Sequence, residues 1–289
     1  MMIFMIFWLT VRKCKPRTPH SLAIIVSVVA LFAGGLTACA DNPKKAVFPR
    51  LRILIPAYIY LDAKGEAEWE EIFAASSRVP IVAILNAANG PGKAPEASYA
   101  KLLEKAQTCR VNMIGYVDTT YAKRSLQDVK DDVDRWIRFY PGIQGIFLDQ
   151  QASGREQVDY YKKLYIYIRE TRGLKLVVSN PGTLCDEIYF RQKTADVICL
   201  HEGNEKIDRD FFPKWTSQYP ATNVFVTQYG VKTENEMLAW VDLVAQKNFG
   251  YIYITDRDGD NPWDSLPSYW QREVETVRTV NTQIPAKKP

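Results

Sequence analysis

Histidine is almost missing from this chain: His20 and His201 are the only two among 289 residues. Zinc sites built on several imidazoles are therefore excluded. Cysteine is scarce as well, with five in all. Setting aside Cys14 and Cys39 of the N-terminal region leaves Cys109, Cys185 and Cys199, an odd number without CxxC spacing. That pattern argues against a disulfide framework or a metal cluster, and buried free thiols are expected instead. No metal and no organic cofactor is expected. An excess of one charge is also lacking. The net charge is +4, but Arg12, Lys13, Lys15 and Arg17 account for it, since 33 basic residues face 33 acidic ones once residues 1–38 are removed. With neither a basic excess nor a run of Lys and Arg, nucleic acid is not an expected partner.

What is present begins with a leader. The four basic residues precede an apolar run from Leu22 to Phe32, and Leu36-Thr37-Ala38-Cys39 follows. A basic region, a short apolar core and small residues before a cut site make a secretory signal. The core is too short for a permanent membrane span. Leu-Thr-Ala-Cys is also similar to a bacterial lipobox, in which the cysteine becomes the lipid-bearing first residue of the mature protein. Diacylation of Cys39 would anchor an exported domain to the membrane, because two chains suffice for stable attachment. Ala40 at the next position fits sorting to the outer membrane of a Gram-negative envelope. The simpler alternative is an ordinary signal cut near Ala38. The apolar stretch Met1 to Leu9, ahead of the basic region, is unusual for a signal and fits a start codon placed too early. The organisation expected is a signal over 1–38, a polar tether over 39–49, a folded domain over 50–284 and a tail over 285–289, acting as a monomer.

The 47% hydrophobic and 24% charged content suits one large core. From residue 52 onward, short apolar runs alternate with longer amphipathic ones. The strands expected are Arg52–Tyr60, Val79–Asn86, Asn112–Thr119, a fourth ending at Asp149, Lys175–Asn180, Asp196–Glu202, Asn223–Tyr229 and Gly250–Thr255. Helices are expected over Glu66–Ser76, Pro95–Thr108, Ser125–Tyr140, Glu156–Arg172, Thr233–Lys247 and Ser268–Asn281, with weaker ones between strands five, six and seven. Ser125 with Asp128, and Thr233 with Glu236, are spaced as capping boxes. Eight alternations in about 235 residues have the size and rhythm of a (β/α)₈ TIM barrel. A doubly wound open sheet competes, but no glycine-rich phosphate turn follows strand one.

In such a barrel the C-terminal strand ends surround one mouth, where chemistry sits. Here they read Tyr58 and Tyr60, Asn86, Tyr116 and Asp118, Asp149, Asn180, Glu202, Gln228 and Tyr229, and Asp256. Aromatic faces beside amides and carboxylates suit a sugar ring, with its apolar C–H faces and rim of hydroxyls. Asp149 and Glu202, on strands four and six, form a candidate pair for hydrolysing a glycosidic bond. The bland reading is that one of them anchors a loop or pairs with a base such as Arg257. Period-two alternation turns Phe147 and Gly145 inward with Asp149, and Leu200 and Ile198 inward with Glu202. It turns Cys199 and His201 towards the helices, where His201 is a supporting residue.

Several motifs then fall into place together. Ile55-Pro56-Ala57-Tyr58, Asn86-Ala87-Ala88-Asn89-Gly90-Pro91-Gly92, Gly115-Tyr116-Val117-Asp118-Thr119-Thr120-Tyr121, Gly145 to Asp149, Asn180-Pro181-Gly182-Thr183, and the run from Asn261 to Trp270 resemble, in order, the spherulation-specific family 4 (spherulin 4) proteins. The resemblance implies a glycoside-hydrolase-like barrel, and some relatives are endo-acting α-1,4-galactosaminidases of partly deacetylated exopolysaccharides. It implies an Asp-Glu pair ending strand four and a Glu ending strand six. Asp149 and Glu202 match the first and third, but Gln150 stands at the second. If that Glu is the acid or nucleophile, its amide removes the proton or charge the step needs; if it only orients its neighbours, Gln keeps the hydrogen bonds.

Three readings result. The leading one is an envelope glycoside hydrolase using Asp149 and Glu202, with Tyr58, Asn86, Tyr116, Tyr121, Asn180 and Gln228 holding the polysaccharide. The second is a glycan-binding lipoprotein that lost turnover with Gln150, and the third a structural protein whose mouth is plugged by its own side chains. One expectation is testable directly: cells fed a labelled fatty acid incorporate label into the wild-type chain and not into Cys39→Ser, and equal labelling of both would exclude the anchor.

Overall fold

The computed structural model describes residues 51–283. The signal, the tether, Cys39 and the tail lie outside the described residues. Eight parallel strands close into a barrel in chain order. They are β1 (Arg52–Ala57), β2 (Ile81–Leu85), β3 (Asn112–Asp118), β4 (Gly145–Asp149), β5 (Leu176–Ser179), β6 (Val197–Gly203), β7 (Val224–Gln228) and β8 (Tyr251–Ile254). Most are apolar along their whole length because both faces are covered, one by the barrel interior and one by helices. The helices are α1 (Ala63–Ala75), α2 (Ala97–Thr108), α3 (Leu126–Phe139), α4 (Val158–Ile166), α5 (Ile188–Arg191), α6 (Glu234–Gln246) and α7 (Trp270–Gln283). This is the expected TIM barrel.

Helix starts follow local chemistry. The Asp62 carboxylate accepts from the Gly65 N–H at 2.8 Å, and at both expected boxes the N-cap hydroxyl caps the helix, Ser125 accepting from the Asp128 N–H and Thr233 from the Glu236 N–H, while the Asp128 and Glu236 carboxylates accept from those hydroxyls and not from the N-cap N–H. Packing then fixes α3 on the barrel. The Trp136 ring lies flat against Gly115 of β3, where a Cβ would come within 2.5 Å of it, and its indole N–H donates to the Tyr116 carbonyl at 2.7 Å. Trp136 is fully buried, so truncation to Ala would cost roughly 3–5 kcal/mol.

Two expected helices shrink. Between β5 and β6 the helix is only the four residues of α5, and between β6 and β7 there are only the 3₁₀ turns Lys214–Gln218 and Ala221–Asn223. Pro213 and Pro220 account for the second: each stands extended immediately before a 3₁₀ turn, lacking the N–H that a continuing helix needs. Aromatic packing takes over there, with Phe212 on Phe249 at 4.9 Å and Trp215 on Phe190 at 5.2 Å. The thiols of Cys109, Cys185 and Cys199 are free; Cys185 and Cys199 are buried, whereas Cys109 is half-buried.

Barrel closure carries a cost of its own. The β1–β8 ladder spans only Arg52 opposite Tyr251 and Ile53 opposite Ile252. Beyond it, the Ile254 N–H is satisfied by the carboxyl of Glu273 on α7, at 2.9 Å. Glu273 is wholly buried and its second oxygen has no hydrogen-bond partner among the described residues. Burial pushes its pKa up to about 8, so the folded state holds it as the neutral acid. As pH rises above 4.5, the unfolded chain releases this proton first and folded stability falls until about pH 8. Glu273→Gln keeps the acceptor and removes the titration. Denaturant unfolding is expected to show that variant gaining on wild type by several kcal/mol between pH 5 and 8; a constant difference would disprove the assignment.

Candidate active site

The C-terminal ends of β3, β4, β5 and β6 bring a compact polar cluster into the mouth. Asp149 lies opposite Asp118 in the β3–β4 register. The Tyr116 hydroxyl donates to Asp149 Oδ2 at 2.8 Å, and Asn180 Nδ2 donates to Asp149 Oδ1 at 2.9 Å. The same Asn180 nitrogen reaches Glu202 Oε2 at 2.6 Å. Its orientation is fixed, because Asn180 Oδ1 accepts from the Gly182 N–H at 2.9 Å and so leaves the NH₂ for the two acids. Gly182 makes this turn at φ +70, a left-handed conformation natural to glycine. Its carbonyl then accepts from the Glu202 N–H, tying β5 to β6.

Bonds of 2.9 and 2.6 Å meeting at one nitrogen place the two carboxyl oxygens no more than 5.5 Å apart, the two lengths end to end. Burial, and then the negative charge of Asp149, push the Glu202 pKa up to about 7, opposed by hydrogen bonds from Asn180 and the Trp263 side chain. Burial raises Asp149 too, but donation from Tyr116, from the Gln150 backbone and from Asn180 works against the rise. The two acids are thereby pushed apart in role: Glu202 holds a proton near neutrality, and Asp149 is equipped to carry charge. The bland pairing with Arg257 does not form. Arg257 instead donates to the Leu266 carbonyl at 2.9 Å and lies 3.7 Å from Asp256.

Tyr58 completes the floor from β1. Its ring meets Tyr116 edge-on at 5.6 Å, and burial with the charges of Asp149 and Glu202 raises its pKa well above the usual value, so it stays a neutral hydroxyl. The mouth opens into two cavities. One, of about 490 Å³, is lined by Tyr58, Tyr60, Asn86, Tyr99 and Tyr116 among others; the second, of about 610 Å³, runs past Glu202 along Gly182, Glu205, Asp208 and Phe211.

Other expected residues are placed differently. Asn86 lines the first cavity, but its Oδ1 is engaged by the Gly90 N–H at 2.9 Å. The Asp118 carboxylate is occupied by the Thr120 N–H at 2.7 Å and hydroxyl at 2.8 Å. Tyr121 is 52% exposed at φ +55, in a left-handed turn with Thr120 and Ala122. Left-handed backbone costs roughly 1–2 kcal/mol for each non-glycine residue. Donation from the Tyr121 N–H and the Thr119 hydroxyl to the Gln150 carbonyl, each at 2.8 Å, holds the turn. Gln150 itself sits at φ +50.

Gln228 corrects an expectation. It faces the outer layer, where its Oε1 meets His201 Nε2 at 2.6 Å, and His201 stacks on Trp240 of α6 at 5.5 Å. Asp256 is likewise turned to its own loop, accepting from the Ser268 N–H at 3.1 Å. Tyr229 is half-buried and packs edge-on against Trp263 at 5.7 Å. The inward set on β6 also differs from simple alternation. The register shifts between Cys199 and His201, and this bulge resets the face. Cys199 thus shares the inward face of Phe225 and lies buried beneath the acids, whose charges, with burial, raise its thiol pKa. His201 still turns outward, as alternation predicts.

Trp263 escaped the reading of strand ends, because it belongs to the long loop after β8. That loop folds back over the mouth: the Tyr58 N–H donates to the Trp263 carbonyl at 3.1 Å, and the Leu266 N–H to Glu68 at 2.8 Å. Its signal was the Asn261–Trp270 motif, not periodicity. Among the described residues, no three His, Cys, Asp or Glu side chains are grouped to hold a metal ion.

Comparison with known proteins agrees with this fold. The family model for Spherulin4, spherulation-specific family 4, matches residues 52–277. The chain belongs to that family. Spherulin-4 of Physarum polycephalum is 29% identical over 258 residues, covering 85% of this chain and 74% of the relative. The crystal structure of Aspergillus clavatus Sph3 in complex with GalNAc superposes with a TM-score of 0.69 at 22% identity, over 80% of this chain and 99% of that one. The Bacillus cereus spore cortex-lytic enzyme SleL gives 0.53 at 9% identity, over 83% and 76%. These two likenesses concern the fold, a glycoside-hydrolase-like TIM barrel.

The electrostatics predict a titration. Carbon-13 NMR of labelled glutamate is expected to show Glu202 titrating near pH 7, and Asp149→Asn, which removes the neighbouring charge, is expected to lower that midpoint. A Glu202 midpoint near 4.5 in the wild type would refute the assigned environment.

Proposed function

We propose that this chain is an endo-acting glycoside hydrolase of an amino-sugar polysaccharide such as a galactosamine-containing exopolysaccharide. The observation that carries the reading is the bridged pair: one oxygen of each carboxyl within 5.5 Å of the other, held by one amide beside the cavity that Glu202 lines. Retaining glycosidases space their carboxyls roughly 5–5.5 Å apart, whereas inverting ones need about 6.5–9.5 Å to admit a water. An upper bound of 5.5 Å between the bridged oxygens falls short of the inverting range, which favours retention. Glu202, protonated near neutrality, gives its proton to the leaving glycosidic oxygen, while Asp149 attacks the anomeric carbon from the opposite side. Glu202, now a carboxylate, then takes a proton from the water that releases the sugar from Asp149. Tyr116 and Asn180 hold Asp149 in place for attack.

Cavities on both sides of the pair favour internal cleavage of a chain over trimming of its end. Tyr58, Tyr60 and Tyr116 supply aromatic faces on one side, and the exposed Tyr121 offers another above β3. The GalNAc named with Sph3, read together with the family match, supports an amino-sugar substrate here. A lipid on Cys39 would hold the enzyme at the cell envelope, on the side where such polysaccharides are exported.

A second reading rests on Gln150. An amide stands where the family pattern places a glutamate, so a barrel that binds glycan without cutting it is the alternative. Incubation of the purified chain with partly deacetylated galactosamine polysaccharide is expected to release oligosaccharides. kcat/KM should fall above about pH 7 as Glu202 loses its proton, and Glu202→Gln and Asp149→Asn should each lower kcat by about 10²–10⁴-fold. Glycan binding without product in the wild type, with turnover appearing in Gln150→Glu, would establish the second reading instead.

A further inference from the structure

The opposite end of the barrel holds a cavity that the groove chemistry does not use. It measures about 410 Å³ and is lined by Arg52, Asn112, Gln144, Lys175 and Tyr251 over an apolar wall that includes Ile81 and Leu176. Arg52 and Tyr251 face each other in register at the first rungs of β1 and β8. The Arg52 guanidinium carbon lies 5.3 Å from the centre of the Tyr251 ring, so the ring face positions the cation. Arg52 Nη1 is nevertheless buried with no hydrogen-bond partner among the described residues. A buried, unsatisfied guanidinium N–H is costly, and here it borders an open polar space.

The charge around it is one-sided. Among the described residues, no carboxylate lines the cavity. The acid whose charge reaches Tyr251 is Asp196, and that carboxylate is already committed: it accepts from the Val177 N–H at 2.8 Å and the Tyr165 hydroxyl at 3.0 Å, and lies 3.3 Å from Arg169. Lys175 has no ion-pair partner among the described residues, and the side-chain amides of Asn112 and Gln144 have no partner there either. One guanidinium, one ammonium and two carboxamides therefore surround a space large enough for more than a single small ion.

We infer that this end of the barrel binds a phosphate group. Two positive charges match a dianion, and guanidinium with amide donors suits a tetrahedral group of oxygens. The remaining volume admits an organic ester on that phosphate. Two sources share the chemistry, free phosphate and the head group of an anionic phospholipid.

Titration calorimetry of the purified chain with inorganic phosphate, at constant ionic strength in chloride, is the test. A saturable one-to-one heat is expected, weakened at least tenfold in Arg52→Met and severalfold in Lys175→Met. The exposed Lys175 variant keeps the test valid if Arg52→Met fails to fold. Sedimentation of the Cys39→Ser chain with phosphatidylcholine vesicles, with or without phosphatidylglycerol, separates the sources. Anionic-vesicle binding lost in both variants identifies the head group, and phosphate binding without vesicle binding identifies the free anion. Absence of saturable phosphate binding, or equal affinity in wild type and both variants, would overturn the inference.

Discussion

The carboxamide of Asn180 is the constraint on which the site depends. It joins strands four and six across strand five, and its own orientation is set by a backbone N–H two residues on. Hydrogen bonds to charged groups contribute about 1.5–3 kcal/mol each, and far more is at stake when buried acids lose their donors. Without this amide, the two acids would face each other with only repulsion between them. With it, one proton and one negative charge are shared between two fixed positions, which is the state an acid-assisted displacement requires.

The fold delivers that state through short connections. The β5–β6 and β6–β7 segments forgo full helices, and the proline-rich chain instead packs aromatics along the barrel flank. The bulge in β6 keeps the hydrophobic face continuous up to Cys199 and then returns the alternation so that Glu202 points in while His201 points out. A strand without the bulge would present either the histidine or the acid to the mouth with the wrong neighbours behind it.

Much of this was legible in the sequence. Eight apolar runs separated by amphipathic ones carry the barrel because each strand is covered on two faces, and Asp149, Asn180 and Glu202 announce themselves as polar groups ending buried strands. What period-two reasoning misses is local geometry. The bulge at Cys199–His201 cannot be read from residue types, so the inward set on β6 was misassigned. Gln228 looks like a strand-end ligand, yet its register turns it to the helix layer, where His201 occupies it. Trp263 sits far beyond its strand in a loop whose path is decided by tertiary hydrogen bonds to Tyr58 and Glu68, and no periodicity marks it.

Gln150 has a further meaning for how such a family diversifies. Everything the architecture asks of this position is done by its backbone: the carbonyl receives Thr119 and Tyr121, and the N–H faces Asp149. Its side chain forms no bond with another described residue, and its left-handed conformation is enforced from outside. Exchanging amide for acid would break no side-chain hydrogen bond among the described residues, but it would set a second negative charge beside Asp149. The scaffold therefore sets where this residue stands without drawing on its side chain, and what that side chain does is left to whatever meets it at the mouth.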